Sequence, residues 1–277
     1  REMLERVARS IGTIERLEKW HGHLYNWYDT RSLRPLRPFY ISAVDSGNLV
    51  GYLITLRQGL LETLTEPLLD LGRWRSGLKD TFTLMSLEVR GETGPSAEAM
   101  AQFSKESETA PKAEARHVPS AVRAYTALKN LENRLSHLVK SERADNHADR
   151  FRHSWTMRLA DMLGAYRQEI EVMFPWVLLL TEEPPVMTQE TIGSHGYERW
   201  CSFLRVLDTK TSLLELPSLY RRALEELRQF AALIPKDQNQ EKAELTEWLE
   251  KVRGALVQSM ENAAHWTKEC YRLAETI

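Results

Sequence analysis

Apolar residues recur at three- and four-residue spacing along most of this chain, and that spacing constrains its fold more than any other feature. Leu4, Val7, Ile11, Ile14 and Leu17 begin the series. Val122, Tyr125, Leu128, Leu131, Leu135 and Leu138 mark a second stripe, and Phe151, Trp155, Leu159, Leu163, Tyr166, Ile170 and Phe174 a third. Residues so spaced share one face of a 3.6-residue helix, which they bury against a neighbour. Strand-like alternation is almost absent, so the chain reads as all-α.

The same reading gives approximate elements. A helix is expected over residues 2–19, and another from Gly47 to Leu64, with Asp45 or Ser46 as N-cap. A weaker helix over 66–88 carries breakers at Gly72 and Gly77. Residues 91–118 are small, polar and charged, and predict a mobile polar linker with one short helix. A second polar break is expected over 181–195. Helices follow at 196–213, 217–234 and 238–275, punctuated by Pro217 and Pro235. The chain therefore divides into 1–90, the linker 91–118, and a bundle-like helical segment 119–277.

Composition narrows the function classes. The 277 residues are 42% hydrophobic and 27% charged with a formal net charge of −2, the balance of a soluble globular protein. Such a chain has no overall attraction for nucleic acid, and its basic pieces "RPLRP" and "RADNHADRFRH" are isolated. Cys201 and Cys270 have no metal spacing and suggest a reducing compartment. "MFPWVLLL" (173–180) is far short of the ~20 residues of a spanning helix, and reads as buried. No phosphate-binding Gly loop, G-x-S-x-G elbow or Cys/His nucleophile pair is present, so no nucleotide chemistry and no cofactor is expected.

One stretch stands out from plain amphipathic helix: "WHGHLYNWYDT" (20–30), followed by the proline-rich "RSLRPLRPFYIS" and by "AVDSGNLVGYL" (43–53). Pro35 and Pro38 forbid a helix here, and loops on a rigid scaffold often carry binding residues. His21 and His23, at i, i+2, would point the same way on a strand, but a zinc ion needs further ligands, so no metal is expected. Trp20, Tyr25, Trp27 and Tyr28 suit a core, because large rings bury much area. Asn26 and Asp29 among them argue otherwise, since burying an amide and a carboxylate without partners costs several kcal/mol. Aromatic walls with a few directed polar groups suit a sugar ring, whose C–H faces pack on aromatic planes while its hydroxyls hydrogen-bond. Asp45 and Ser46 are explained as caps, whereas Asn48 is a weak helix former in the expected first turn. Elsewhere, the charged face of 238–253 reads as solvated, with a Glu247–Lys251 pair, and Met260, Trp266 and Tyr271 as a core stripe.

The stretch "GHLYNWYDTRSLRPL…YISAVDSGNLVGYLITLRQGL", about residues 22–60, closely resembles the start of the glucoamylase-like domain of cyclic β-1,2-glucan synthases, very large bacterial inner-membrane enzymes. "NWYDT" and "VDSGNL" at this separation carry the likeness; residues 65–277 are only loosely similar. The resemblance implies partial (α/α) toroid helices that act on β-1,2-glucan by transglycosylation, closing the linear chain into a ring. It also implies Asn26, Trp27, Tyr28, Asp29, Asp45, Ser46 and Asn48 as substrate-binding residues. Retaining chemistry needs an acid/base carboxyl and a nucleophile ~5–5.5 Å apart. The resemblance implies that these glutamates lie beyond this chain, whose ends read as cut from something longer. Asp29 and Asp45 are the acid/base alternative within it. The implied partners are the glucan and other domains of the parent protein, on the cytoplasmic side of the inner membrane. A second expectation is a non-catalytic helical module, with residues 120–277 docking those domains.

Overall fold

The computed structural model describes residues 2–88, 118–144, 154–181, 189–234 and 240–277. The linker expected over 91–118 lies outside them except for Val118, as do Phe151 and Pro235. The described residues hold nine helices and one small hairpin.

Helix α1 (Glu2–Arg16) buries Leu4 and Ile11, two turns apart on the expected stripe. It stops short of residue 19 because Lys19 folds back, its Nζ donating to the carbonyls of Ile14 (2.7 Å), Glu15 (3.1 Å) and Leu17 (3.1 Å). A basic side chain on the last carbonyls is a helix-ending device. The chain then makes a hairpin, β1 (Lys19–Trp20) against β2 (His23–Leu24), antiparallel with Trp20 opposite His23. Its turn residues, His21 (φ 49°) and Gly22 (φ 88°), both have the positive φ that tight two-residue hairpins favour. This hairpin departs from the all-α reading, and two residues per strand are too few for alternation to reveal.

Helix α2 runs Ala43–Thr63, beginning four residues before the expected Gly47. Its N-cap is Ser42, whose Oγ accepts from the Asp45 amide at 3.1 Å. Asp45 and Ser46 are therefore not the cap, and Asn48 sits in the second turn rather than the first. Within α2 only Leu60 is buried.

Helix α3 (Leu71–Glu88) passes through Gly72 and Gly77 without breaking. Trp74 on α3 stacks on Tyr166 of helix α5 (Trp155–Met173), centroids 4.6 Å apart and planes within 4°. A Cβ on Gly77 would stand 3.4 Å from the Tyr166 hydroxyl, so the small residue sits where the two helices approach. Helix α4 (Ser120–Ala144) packs on α5, burying Val122, Tyr125, Leu128, Leu131 and Leu135 against Leu159, Leu163 and Ile170. Arg167 on α5 pairs with Glu132 (3.2 Å) and Glu171 (2.8 Å), and Tyr125 donates to Glu171. After α6 (Trp176–Thr181), helix α7 (Gln189–Leu207) begins earlier than expected but is interrupted at Gly193 (φ 72°). It ends at Leu207, before the expected residue 213, because the next residue, Asp208, turns to accept the Ser120 amide at the start of α4 (2.5 Å).

Helix α8 (Leu216–Ala232) has Pro217 in its first turn, where the missing N–H costs nothing. Helix α9 (Gln240–Thr276) carries the expected Lys251–Glu247 pair at 2.8 Å. Trp200, Phe203, Phe230 and Trp248 from α7, α8 and α9 form an aromatic cluster, with centroids 5.2–5.8 Å from Trp200. The core stripe expected at Met260, Trp266 and Tyr271 falls instead on Ala263, Cys270, Leu273 and Ala274, and Tyr271 is exposed.

The chain forms two compact units. The smaller comprises Arg1–Glu66, Ser212–Leu214 and Ala263–Ile277; within it Arg57 on α2 donates from Nε to the Ala274 carbonyl at 3.1 Å. The larger comprises Pro67–Thr211 and Glu215–Asn262. None of the described helices is long and apolar enough to cross a membrane.

Candidate functional site

Asn26 organises the loop. Its backbone N–H donates to the Tyr40 carbonyl (2.9 Å), its Oδ1 accepts from the Ser42 amide (3.0 Å), and its Nδ2 donates to Asp45 Oδ2 (3.3 Å). Ser42 and Asp45 stand as S-x-x-D, the spacing of a capping box, in which the acid normally reaches back to the cap's own N–H. Here Asn26 takes that arm: it accepts from the Ser42 N–H and donates to the Asp45 carboxylate, joining segments 19 residues apart. The two motifs read from sequence are thereby physically joined. An amide has two donor hydrogens and two acceptor sites, so Asn26 keeps one of each for a further partner.

Trp27 and Tyr40 flank this bridge. Their rings lie near-parallel, centroids 6.0 Å apart with planes at 30°, and they are 51% and 54% exposed. Trp27 is thus not a core plug. Phe39 is also exposed, lying 5.4 Å from Tyr25 and under the Arg37 guanidinium at 5.1 Å. Trp20 is exposed too, and meets the His21 ring edge-on at 4.5 Å.

Tyr28 serves the loop itself. Its hydroxyl donates to the Glu18 carbonyl (2.7 Å) and accepts from the Tyr25 amide (2.8 Å), and its backbone bridges to Pro35. Asp29 closes the turn that follows: one carboxylate oxygen accepts from the amides of Arg31 (3.1 Å) and Ser32 (2.6 Å) and from the Ser32 hydroxyl (2.8 Å). These bonds, the Ser32 amide foremost, hold its pKa below the ordinary carboxylate range. Asp29 is accordingly charged at neutral pH, suited to accept a hydrogen bond and unsuited to donate a proton.

Ser46 is half-buried in the first turn of α2 and Asn48 exposed in the second. His21 sits in the hairpin turn and His23 on β2, so the pair does not share a strand face as i, i+2 spacing suggests. Sequence reasoning passed over Tyr40 and Ser42. The S-x-x-D spacing was the available signal for Ser42; Tyr40 is revealed only by its stacking on Trp27.

The loop therefore offers an exposed aromatic pair next to a polar bridge. No protein-family model matches the chain. A stretch of 84 residues, 30% of the chain, is 39% identical to cyclic beta-(1,2)-glucan synthase NdvB of Rhizobium meliloti (strain 1021), and spans only 3% of that protein's length.

Proposed function

We propose that this chain is a segment of a carbohydrate-active enzyme of the cyclic β-1,2-glucan synthase kind, contributing to glucan binding and to cyclisation by transglycosylation. The observation that carries the reading is the Trp27–Tyr40 pair beside the Asn26–Asp45 bridge. The aromatic planes suit the C–H faces of a glucose unit, and the amide and carboxylates of Asn26, Asp45 and Asp29 suit its hydroxyls. In this reading α1 and α2 belong to an (α/α) toroid, with Ser46 and Asn48 on the same wall and Tyr28 holding the loop's shape. Residues 1–90 form its start, and 119–277 a helical segment of the same larger protein. The catalytic pair comes from elsewhere in the parent polypeptide, which is anchored at the inner membrane through other segments.

Isothermal titration of the folded chain with β-1,2-glucooligosaccharides tests the reading. Binding weakened about tenfold or more by Trp27→Ala or Tyr40→Ala, with circular dichroism unchanged, is expected from the loss of stacking area. A well-folded chain that gives no heat overturns it.

A second reading is a non-catalytic module that docks other domains of the same larger protein. It is favoured by α2, where Val44, Val50, Tyr52 and Ile54 are all more than half exposed. Large apolar side chains exposed together along one helix mark an interaction surface.

A further inference from the structure

The proline-rich arm of the loop carries a triplet that none of the foregoing uses: R-S-L, R-P-L, R-P-F over residues 31–39. An arginine and a large apolar residue each recur at every third position, Arg31, Arg34 and Arg37 against Leu33, Leu36 and Phe39. The backbone turns part of this arm outward. Tyr28 bridges to Pro35, flanked by hydrogen bonds from the Asp29 amide to the Arg34 carbonyl and from the Leu36 amide to the Trp27 carbonyl, each 2.9 Å. Tyr28 reaches back to the Glu18 carbonyl and Pro35 is half-buried beside it. Arg34 and Leu36, on either side of Pro35, therefore face the other way, and both are exposed.

Residues 36–40 are exposed without a break, Leu36 to 46% and Phe39 to 55%. The Arg37 guanidinium lies over the Phe39 ring, 5.1 Å from its centroid, so charge sits directly on apolar surface. Between Lys19 and Ser42 the chain has four cationic side chains, Lys19, Arg31, Arg34 and Arg37, against the single carboxylate of Asp29. Lys19 is spent on the end of α1, and Asp29 on its own turn. The three arginines are exposed and have no carboxylate partner among the described residues. The whole chain carries a formal charge of −2, so attraction to an anionic surface is local here, acting over a Debye length of ~10 Å.

We propose that this arm rests on a bilayer surface of anionic lipid, with Arg31, Arg34 and Arg37 on headgroup phosphates and Leu36 and Phe39 in the acyl boundary. Arginine's planar fork suits a phosphate. Basic residues interleaved with exposed aromatic and apolar ones are the composition of interfacial anchors. A bilayer meets both halves of the triplet, whereas a single-stranded nucleic acid would stack on the rings and leave Leu36 in water. The arm shares its loop with the Trp27–Tyr40 pair but uses other side chains, so the inference goes beyond the glucan reading and does not rest on it.

Co-sedimentation of the full chain with vesicles of equal parts phosphatidylcholine and phosphatidylglycerol tests the proposal, with pure phosphatidylcholine vesicles as the neutral control. Binding to the anionic vesicles about tenfold or more tighter is expected, since each basic residue near such a surface contributes about a factor of five. Arg34→Gln, Arg37→Gln and Leu36→Ser should each weaken it about threefold or more, with the far-ultraviolet spectrum unchanged. Arg34 is exposed and has no side-chain partner among the described residues, so its variant keeps the test open if another fails to fold. The assay contains no sugar, so its failure leaves the glucan reading standing. Four results overturn the proposal: anionic vesicles are not bound, neutral vesicles are bound as tightly, the folded variants bind unchanged, or a single-stranded oligonucleotide is bound more tightly than the anionic vesicles.

Discussion

Asn26 shows how one side chain can decide a loop's shape. A capping box is ordinarily closed between neighbours in sequence, and here an amide from a preceding loop completes it, so the loop is fixed to the start of α2. Asp29 is fixed differently, by a turn that wraps one of its oxygens. Its lowered pKa means the folded state binds the proton less well than the unfolded chain. That contribution to stability is therefore complete above the ordinary aspartate value of about 3.9 and is lost as pH falls through the lower folded value. Carbon-13 NMR of the Asp29 carboxyl should give a midpoint below the ordinary one, and Ser32→Ala should move it upward. A midpoint indifferent to Ser32→Ala would show that the Ser32 hydroxyl adds nothing and that the backbone amides of Ser32 and Arg31 alone lower it. At this scale the polar–aromatic character of residues 20–30 was legible, since burying Asn26 and Asp29 unpaired was already too costly. The particular bonds were not, because Tyr28 and Asp29 spend theirs on backbone groups whose positions depend on the turn.

Buried faces followed periodicity where a stripe is long, as at Val122, Tyr125, Leu128, Leu131 and Leu135 of α4 and Leu159, Leu163 and Ile170 of α5, whereas helix boundaries followed it poorly where a distant group intervenes. The start of α2 was misplaced because apolar spacing says nothing of which serine the Asn26 amide reaches. The end of α7 was misplaced because Asp208 leaves the helix to cap α4, 88 residues earlier in the chain. Exposure along α2 was equally hidden, since Ile54 and Leu60 look alike in sequence but are 63% and 4% exposed. Leu60→Ala should cost about 2–5 kcal/mol in urea unfolding, as for buried leucines in general. Ile54→Ser should stay within about 0.5 kcal/mol, as for surface positions. Equal losses at the two sites would mean that the Ile54 face of α2 is covered in solution.

Across the whole molecule, the largest fully buried aromatic side chains, Trp176, Phe203, Tyr220 and Phe230, all lie in the larger unit. Burial drives the Tyr220 hydroxyl pKa far above its ordinary value, so it remains protonated and bonded between Trp176 and Met173. Tyr220→Phe strands the Trp176 N–H and should destabilise the chain by about 1–3 kcal/mol, read as a lower urea midpoint. A neutral result would mean that the contact is replaced without cost. What the sequence determined by itself is the part governed by near neighbours: a mainly helical chain, most helix positions, and a polar, aromatic loop unsuited to a core. Tertiary structure alone decided which faces are covered, which serine caps α2, and how Ala263–Ile277 joins the first 66 residues in one unit. The physical reason is range. Helical periodicity is set by residues three and four apart, whereas caps supplied from elsewhere, buried faces and cavities depend on groups that only the folded chain brings together.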